Sequence, residues 1–231
     1  MGIEKFDIEK GYAVFSKGRY STGRHAHYAI EIVVSGEGCF SITTDEKKYE
    51  NISGAIIPSN IPHSFSCVGS ECDLLFVDPI SESGRYIDRK FLLPSNNQIL
   101  IQPDLTGFYE NGSFNLTIPD QTAFSSDIDH RIAKCLHAIE SLATNNKLTL
   151  AELAKLSFLS ESRLAHLFKQ QLGISVHQCI LWKKILLATA KSIEGYSITE
   201  CAHYVGFADS SHFNKAFGKM FGINPFFVLK S

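Results

Sequence analysis

Leu153-Ala-Lys-Leu-Ser-Phe-Leu-Ser-Glu-Ser-Arg-Leu-Ala-His-Leu-Phe-Lys-Gln-Gln-Leu-Gly-Ile-Ser175 is written a second time as Cys201-Ala-His-Tyr-Val-Gly-Phe-Ala-Asp-Ser-Ser-His-Phe-Asn-Lys-Ala-Phe-Gly-Lys-Met-Phe-Gly-Ile-Asn224. Leu164, Phe168, Gly173 and Ile174 correspond to Phe213, Phe217, Gly222 and Ile223, whereas Ala154 answers Ala202 at a spacing one residue shorter. The second copy therefore has one extra residue in its turn. Each copy reads as a short helix, a tight turn and a second helix. A helix-turn-helix written twice implies two reading heads for successive DNA major grooves.

Punctuation around the repeat supports helices. Thr149 with Glu152, Ser175 with Gln178 and Ser197 with Glu200 have capping-box spacing, and each pair opens an apolar-periodic run. Ser160 and Asp209 suit the N-caps of the two reading helices, and Gly173 and Gly222 suit their left-handed stops. A spacer helix over 176–194 would hold the copies apart. In the first reading helix Leu164, Leu167 and Phe168 form the packing stripe. Ser162, Ala165, His166 and Lys169 share the opposite face, flanked by Arg163 as a phosphate contact. In the second, Phe213, Ala216 and Phe217 pack, while Ser210, Ser211, Asn214 and Lys215 face outward. Asn suits bidentate reading of adenine, and Lys reaches guanine. The competing reading is the solvated face of an ordinary helix bundle.

Charge divides the chain in the same place. Residues 1–129 hold 10 Lys and Arg against 18 Asp and Glu, a balance of −8; residues 130–231 hold 12 against 6, a balance of +6, and together they give the overall −2. A basic half suits a polyanion, and the acidic half needs another task. The 231 residues suit two domains, expected at 1–125 and 126–231. Near the boundary Ile128, Ile132, Cys135, Leu136, Ile139 and Leu142 turn to helical spacing. The start lacks a secretory apolar core, and no apolar run reaches membrane-spanning length. The six cysteines contain no C-x-x-C pair and read as ordinary thiols of a cytoplasmic protein.

At this point residues 148–229 resemble the AraC-type transcriptional regulators. The match rests on Leu153-Ala154, Ser160-x-Ser-Arg-Leu-x-x-Leu-Phe168, Leu172-Gly-Ile-Ser175, Gly206-Phe-Ala-Asp-Ser-Ser-His-Phe213, Ala216-Phe217 and Phe221-Gly-Ile-Asn-Pro225. It implies a seven-helix DNA-binding domain with base-reading residues at Ser162, Ala165 and His166, then at Ser210, Ser211, Asn214 and Lys215. Lys184, Lys191, Ser192 and Lys215 depart from the usual pattern, which alters phosphate contact and packing only.

The first half reads as β over 11–78, with strands at Ala29–Ser35, Cys39–Thr43, Gly54–Ile57 and Leu74–Val77 between turn residues. Residues 79–125 are expected to hold mixed short elements. His25-Ala-His27-x3-Glu31-x6-Gly38, followed by Pro58-x-Asn-x2-His63, resembles the cupin pattern, although Asn60 replaces a Gly. His25, His27 and Glu31 share the parity of one strand face, so all three are expected to point into a barrel with His63. Three readings stay open: an organic-effector pocket, a divalent-metal site for Zn, Ni, Mn or Fe, or satisfied structural residues.

The expected class is α+β, a cupin-like β-barrel followed by an all-α domain with two helix-turn-helix motifs. The expected function is a cytoplasmic, non-enzymatic regulator that binds operator DNA and senses a small molecule or metal. RNA polymerase and a second copy of the chain are further partners compatible with that role. The alternative is a cupin-type metalloenzyme fused to a helical DNA-binding module.

Overall fold

In the computed structural model, which describes residues 2–7, 10–19, 21–93, 98–116, 128–141, 148–225 and 229, the chain forms two compact units. The first comprises Met1–Thr122 with Phe217–Ser231, and the second Ala123–Ala216. The boundary expected at 125/126 lies outside the described residues. The class is α+β: a β-rich N-terminal half followed by helices.

The first unit is built from β1 (Gly2–Asp7), β2 (Tyr12–Gly18), β3 (Ile30–Ser35), β4 (Phe40–Thr44), β5 (Lys48–Ile52), β6 (Gly54–Ile57), β7 (His63–Ser66) and β8 (Cys72–Val77). These are followed by α1 (Glu82–Phe91), β9 (Leu100–Ile101), β10 (Tyr109–Glu110) and β11 (Ser113–Phe114). One antiparallel sheet runs β1-β2-β8-β3-β6-β9 and another β5-β4-β7, with β10-β11 a separate hairpin. The β-rich half is as expected, but the described strands fall in separate sheets that do not close into the expected cupin-like barrel. Among the described residues the larger and the three-stranded sheet share no ladder, and β7 meets the segment before β3 through isolated bridges, Ser21 with Ser66 and His25 with His63.

Strand alternation sorts the large sheet into two faces. Val14, Ile30, Ile32, Val34, Ile56, Leu75 and Val77 form one apolar cluster with Ile87 of α1 and with Phe108 and Phe114. Burying each such side chain contributes roughly 1.5–3 kcal/mol. Glu31, Val33, Phe76 and Ile57 have the opposite parity and are also buried. Every residue of β3, β6 and β8 is buried, as in a sheet covered on both faces. The helix α1 begins at Ser81, whose hydroxyl accepts from the Gly84 backbone N–H. Gly84 is required there, since a Cβ would lie 2.1 Å from the Asp78 carbonyl oxygen.

The helices after α1 are α2 (His130–Glu140), α3 (Leu150–Leu156), α4 (Glu161–Leu172), α5 (Val176–Ile193), α6 (Ile198–Tyr204) and α7 (Ser210–Phe221). Among the described residues these are six helices, where the resemblance implies seven. All three capping boxes form, at Thr149–Glu152, Ser175–Gln178 and Ser197–Glu200; each N-cap contributes about 1 kcal/mol. Ser160 caps α4, the Asp209 carboxylate accepts from the His212 backbone N–H at 2.7 Å, and Gly173 and Gly222 take positive φ after their helices. In α2, Ile132, Cys135 and Ile139 are buried as their spacing requires; Leu142 lies outside the described residues. Trp182, Ile185, Leu186 and Ala188 bury the middle of α5.

The helix α7 begins in the second unit and ends in the first. Within the first unit Phe221 packs edge-on against Phe15 and Phe76, with ring centroids 5.5 and 4.9 Å apart.

Candidate DNA-reading helices and a histidine–glutamate cluster

On α4, Leu164, Leu167 and Phe168 are buried, while Ser162, Arg163, His166 and Lys169 are exposed and Ala165 is half-buried. On α7, Phe213 and Phe217 are buried, Ser211 and Lys215 exposed, and Ser210, Asn214 and Ala216 half-buried. Asn214 Oδ1 is a buried acceptor with no hydrogen-bond partner among the described residues. Both helices leave a turn stabilised in the same way: Leu159 N–H donates to the Ala154 carbonyl at 3.0 Å and Phe207 N–H to the Ala202 carbonyl at 2.9 Å. The left-handed turn residue is Gly206 in one copy but Phe158 in the other, at φ 55°. Phe158 is 89% exposed. Between the motifs, the 18 residues of α5 span about 27 Å at ~1.5 Å per residue.

In the first unit His25, His27, Glu31 and His63 come together, each offering a ligand atom within 4.8 Å of the others. The route differs from the expected single strand. Only Glu31 lies in β3; His25 sits in an isolated antiparallel bridge to His63, with reciprocal backbone bonds of 2.9 Å. His27 is held by Asn60, whose N–H donates to the His27 carbonyl at 2.7 Å. Asn60 has φ 62°, so it occupies the left-handed conformation that a Gly at this place would adopt and that Asn tolerates. His63 is the first residue of β7, so one ligand comes from each sheet and two from the segment leading into β3.

All three imidazoles are oriented by main-chain carbonyls. His25 Nδ1 faces the Gly23 carbonyl at 3.0 Å, His27 Nδ1 that of Ala29 at 2.8 Å, and His63 Nδ1 that of Ile61 at 2.9 Å. A carbonyl only accepts, so each Nδ1 carries a proton and each ring turns its Nε2 inward. There His27 Nε2 lies 2.9 Å from Glu31 Oε2 and His63 Nε2 3.2 Å from the same oxygen, with side chains 1%, 4% and 0% exposed for His27, Glu31 and His63. The His63 contact is within ion-pair distance, while its Nε2 has no hydrogen-bond partner among the described residues.

Burial pushes the Glu31 carboxyl up, but His27 and His63 outweigh it and hold it well below the usual carboxylate range. Burial likewise depresses His63, and the Glu31 carboxylate more than restores it. For His25, burial and then the like charge of His63 lower the value to about 4, so this imidazole is neutral at pH 7. Beside the cluster, still within the first unit, a cavity of about 450 Å³ is lined by Arg24, His25, Pro62 and Lys219, among others. Gly222 closes on the cluster: a Cβ there would lie 2.6 Å from the His25 ring.

Two helix-turn-helix units joined by one long helix define the class of the C-terminal half. Residues 153–230 match the family model described as a helix-turn-helix domain. The chain is 36% identical over 80 residues to the probable transcriptional regulator LumQ of Photobacterium leiognathi, covering 34% of this chain and 32% of that protein. It is 35% identical over 103 residues to the arabinose operon regulatory protein of Escherichia coli K12, covering 42% and 34% respectively. The matches thus span about a third of the length of these relatives. They bear out the resemblance of the C-terminal half to AraC-type regulators. ToxT of Vibrio cholerae has a similar fold, with a TM-score of 0.57 at 12% identity over 94% of this chain and 97% of that one. A structure of ToxT with bound unsaturated fatty acid aligns with a TM-score of 0.56 at 13% identity, covering 96% of this chain and 95% of that one.

Proposed function

We propose that the protein is an AraC-type transcriptional regulator that reads operator DNA with α4 and α7. The observation that carries this is the pair of reading helices, each with a buried stripe and an opposite face of Ser162, Ala165, His166 and Lys169 or Ser210, Ser211, Asn214 and Lys215. Arg163 adds a phosphate contact. The ~27 Å of α5 is compatible with heads entering grooves ~34 Å apart, the remainder being taken up by bending of the DNA. Selection of bound duplexes from a random pool with the full chain tests the reading. Two short conserved elements about one helical turn apart are expected; a pool without enriched elements refutes it.

The first unit serves as the sensor, and its ligand is a divalent metal at His25, His27, Glu31 and His63. The donor set fits such an ion: three inward Nε2 atoms on rings oriented by main-chain carbonyls, one carboxylate, and at His63 a buried Nε2 that lacks a hydrogen-bond partner among the described residues. Three imidazoles with one carboxylate suit Zn, Ni, Mn or Fe. The ion would supply the positive charge that this buried carboxylate otherwise draws from imidazolium protons. The cavity beside His25 leaves room for a small-molecule effector whose anionic group Lys219 would attract, since the Arg24 guanidinium is paired with Asp45. Because Gly222, at the end of α7, abuts His25, occupancy of the cluster has a short path to a reading helix. The relatives named above are regulators, and the metalloenzyme alternative gains no support from them. Metal analysis of the purified chain, with His63→Ala as control, tests the sensor reading; equal metal in both proteins refutes it.

A further inference from the structure

Six cysteines without a C-x-x-C spacing read from the sequence as unrelated thiols, yet two of them meet in the first unit. Cys67 follows the end of β7 and Cys72 opens β8, with Val68, Gly69, Ser70 and Glu71 as the connecting turn. Their sulfurs lie 2.6 Å apart, well inside ordinary non-bonded contact and about 0.5 Å beyond the length of a disulfide bond. Both residues are buried. The turn is held in this shape: Ser70 Oγ donates to the Cys39 carbonyl at 2.7 Å, and Cys67 Sγ donates to the Ser70 carbonyl at 3.2 Å. Gly38 fits tightly beneath, since a Cβ there would lie 2.6 Å from the Ser70 Cβ. Nothing in DNA reading or in the His–Glu cluster uses this pair.

We propose that Cys67 and Cys72 are a modification site, a dithiol that a peroxide converts to a disulfide joining the end of β7 to the start of β8. Cys67 reacts first. It lies beside the solvent-exposed Val68 at the turn, whereas Cys72 is paired on both sides, with Gly18 of β2 and Ser35 of β3. The Cys67 sulfur attacks one peroxide oxygen; an S–O bond forms, the O–O bond breaks, and the leaving hydroxide departs as water with the thiol proton. The Cys72 sulfur then attacks the Cys67 sulfur; the S–S bond forms, the S–O bond breaks, and hydroxide leaves as water with the Cys72 proton. Two thiols are oxidised and one hydrogen peroxide is reduced to two waters. Burial, with Cys67 adjacent, pushes the Cys72 thiol up, so Cys72 stays protonated until the sulfenic acid stands next to it. The bond ties the strand that starts with His63 to the strand that carries Phe76, whose ring packs edge-on against His27 at 5.4 Å.

Peptide mapping of the full chain after treatment with hydrogen peroxide tests this. Reduced and oxidised samples are unfolded, alkylated and digested. Cleavage after Glu71 separates the two cysteines unless a bond joins them. The expected result is a linked Cys67–Cys72 product lighter by two hydrogens, about tenfold loss of alkylation at both positions in parallel, and full reversal by a small dithiol. Cys135, Cys179 and Cys201 stay alkylatable. In Cys72→Ser, a sulfenic-acid trap labels Cys67. The proposal is overturned if wild-type Cys67 and Cys72 alkylate fully after peroxide, if either pairs instead with Cys39, or if Cys67 is over-oxidised without a link. The wild-type map decides even if the variant fails to fold.

Discussion

Replacing Glu31 with Gln keeps the volume of the side chain and removes its charge. In the metal-free protein that carboxylate sits 2.9 Å from His27 Nε2 and 3.2 Å from His63 Nε2, all three side chains no more than 4% exposed. Removing one member of a buried pair costs about 3–5 kcal/mol, because the partner charge is left uncompensated. Gln still accepts one bond and fills the space, so the expected loss is near 3 kcal/mol. With a urea dependence of about 2 kcal/mol per M, the unfolding midpoint of the first unit falls by about 1.5 M. Hydrogen exchange of peptides covering β3, followed through a urea series in chelator, reads this midpoint. Trp182 is the only tryptophan and is buried in α5, so its fluorescence reports the helical half and is expected to keep its midpoint. Adding metal at a hundred times its dissociation constant stabilises wild type by about 2.7 kcal/mol, and that increment shrinks in the variant. A variant whose β3 midpoint matches wild type in chelator would refute the buried pairing. An undiminished metal increment would refute Glu31 as a ligand.

His166→Ala and Asn214→Ala are each expected to weaken specific binding by ~1–3 kcal/mol and to relax preference at positions about one helical turn apart; equal loss on random duplex, measured by fluorescence anisotropy, contradicts base reading. DNA affinity of the full chain should fall with salt at a log–log slope of about −5 if roughly six phosphates are contacted, and a flat titration argues against the +6 half as the binding face. Phe158→Gly relieves a left-handed residue that costs roughly 1–2 kcal/mol, while giving up part of that to chain entropy and to the exposed contact with Lys134, 5.8 Å from the ring. A net gain of about 0.5 kcal/mol by Trp182-monitored denaturation is expected, with no gain in Phe158→Ala, which keeps the strained conformation.

The helical half was legible because its signals are local. A capping box needs only four consecutive residues, and the buried stripe of α4 is written in the 3.6-residue spacing of Leu164, Leu167 and Phe168. The β-rich half was harder. The strand β5 is mostly exposed Lys, Glu and Asn on the edge of its sheet, and β7 is four residues long, so neither offers apolar alternation. Only Ser83, Gly84 and Ile87 of α1 are buried, too weak a stripe to announce a helix.

The sequence alone determined that two helix-turn-helix units stand at the ends of a spacer helix, and it named His25, His27, Glu31 and His63 as one set through their resemblance to a known pattern. The tertiary structure decided how that set is assembled: through an isolated bridge, a left-handed Asn60 and three main-chain carbonyls that orient the imidazoles. It also decided that the described sheets do not share one continuous ladder and that Cys67 and Cys72 meet across a turn. The physical reason is range. Helix caps and periodicity act within a few residues, whereas strand pairing and the approach of buried polar atoms depend on partners tens of residues away, which no local spacing encodes.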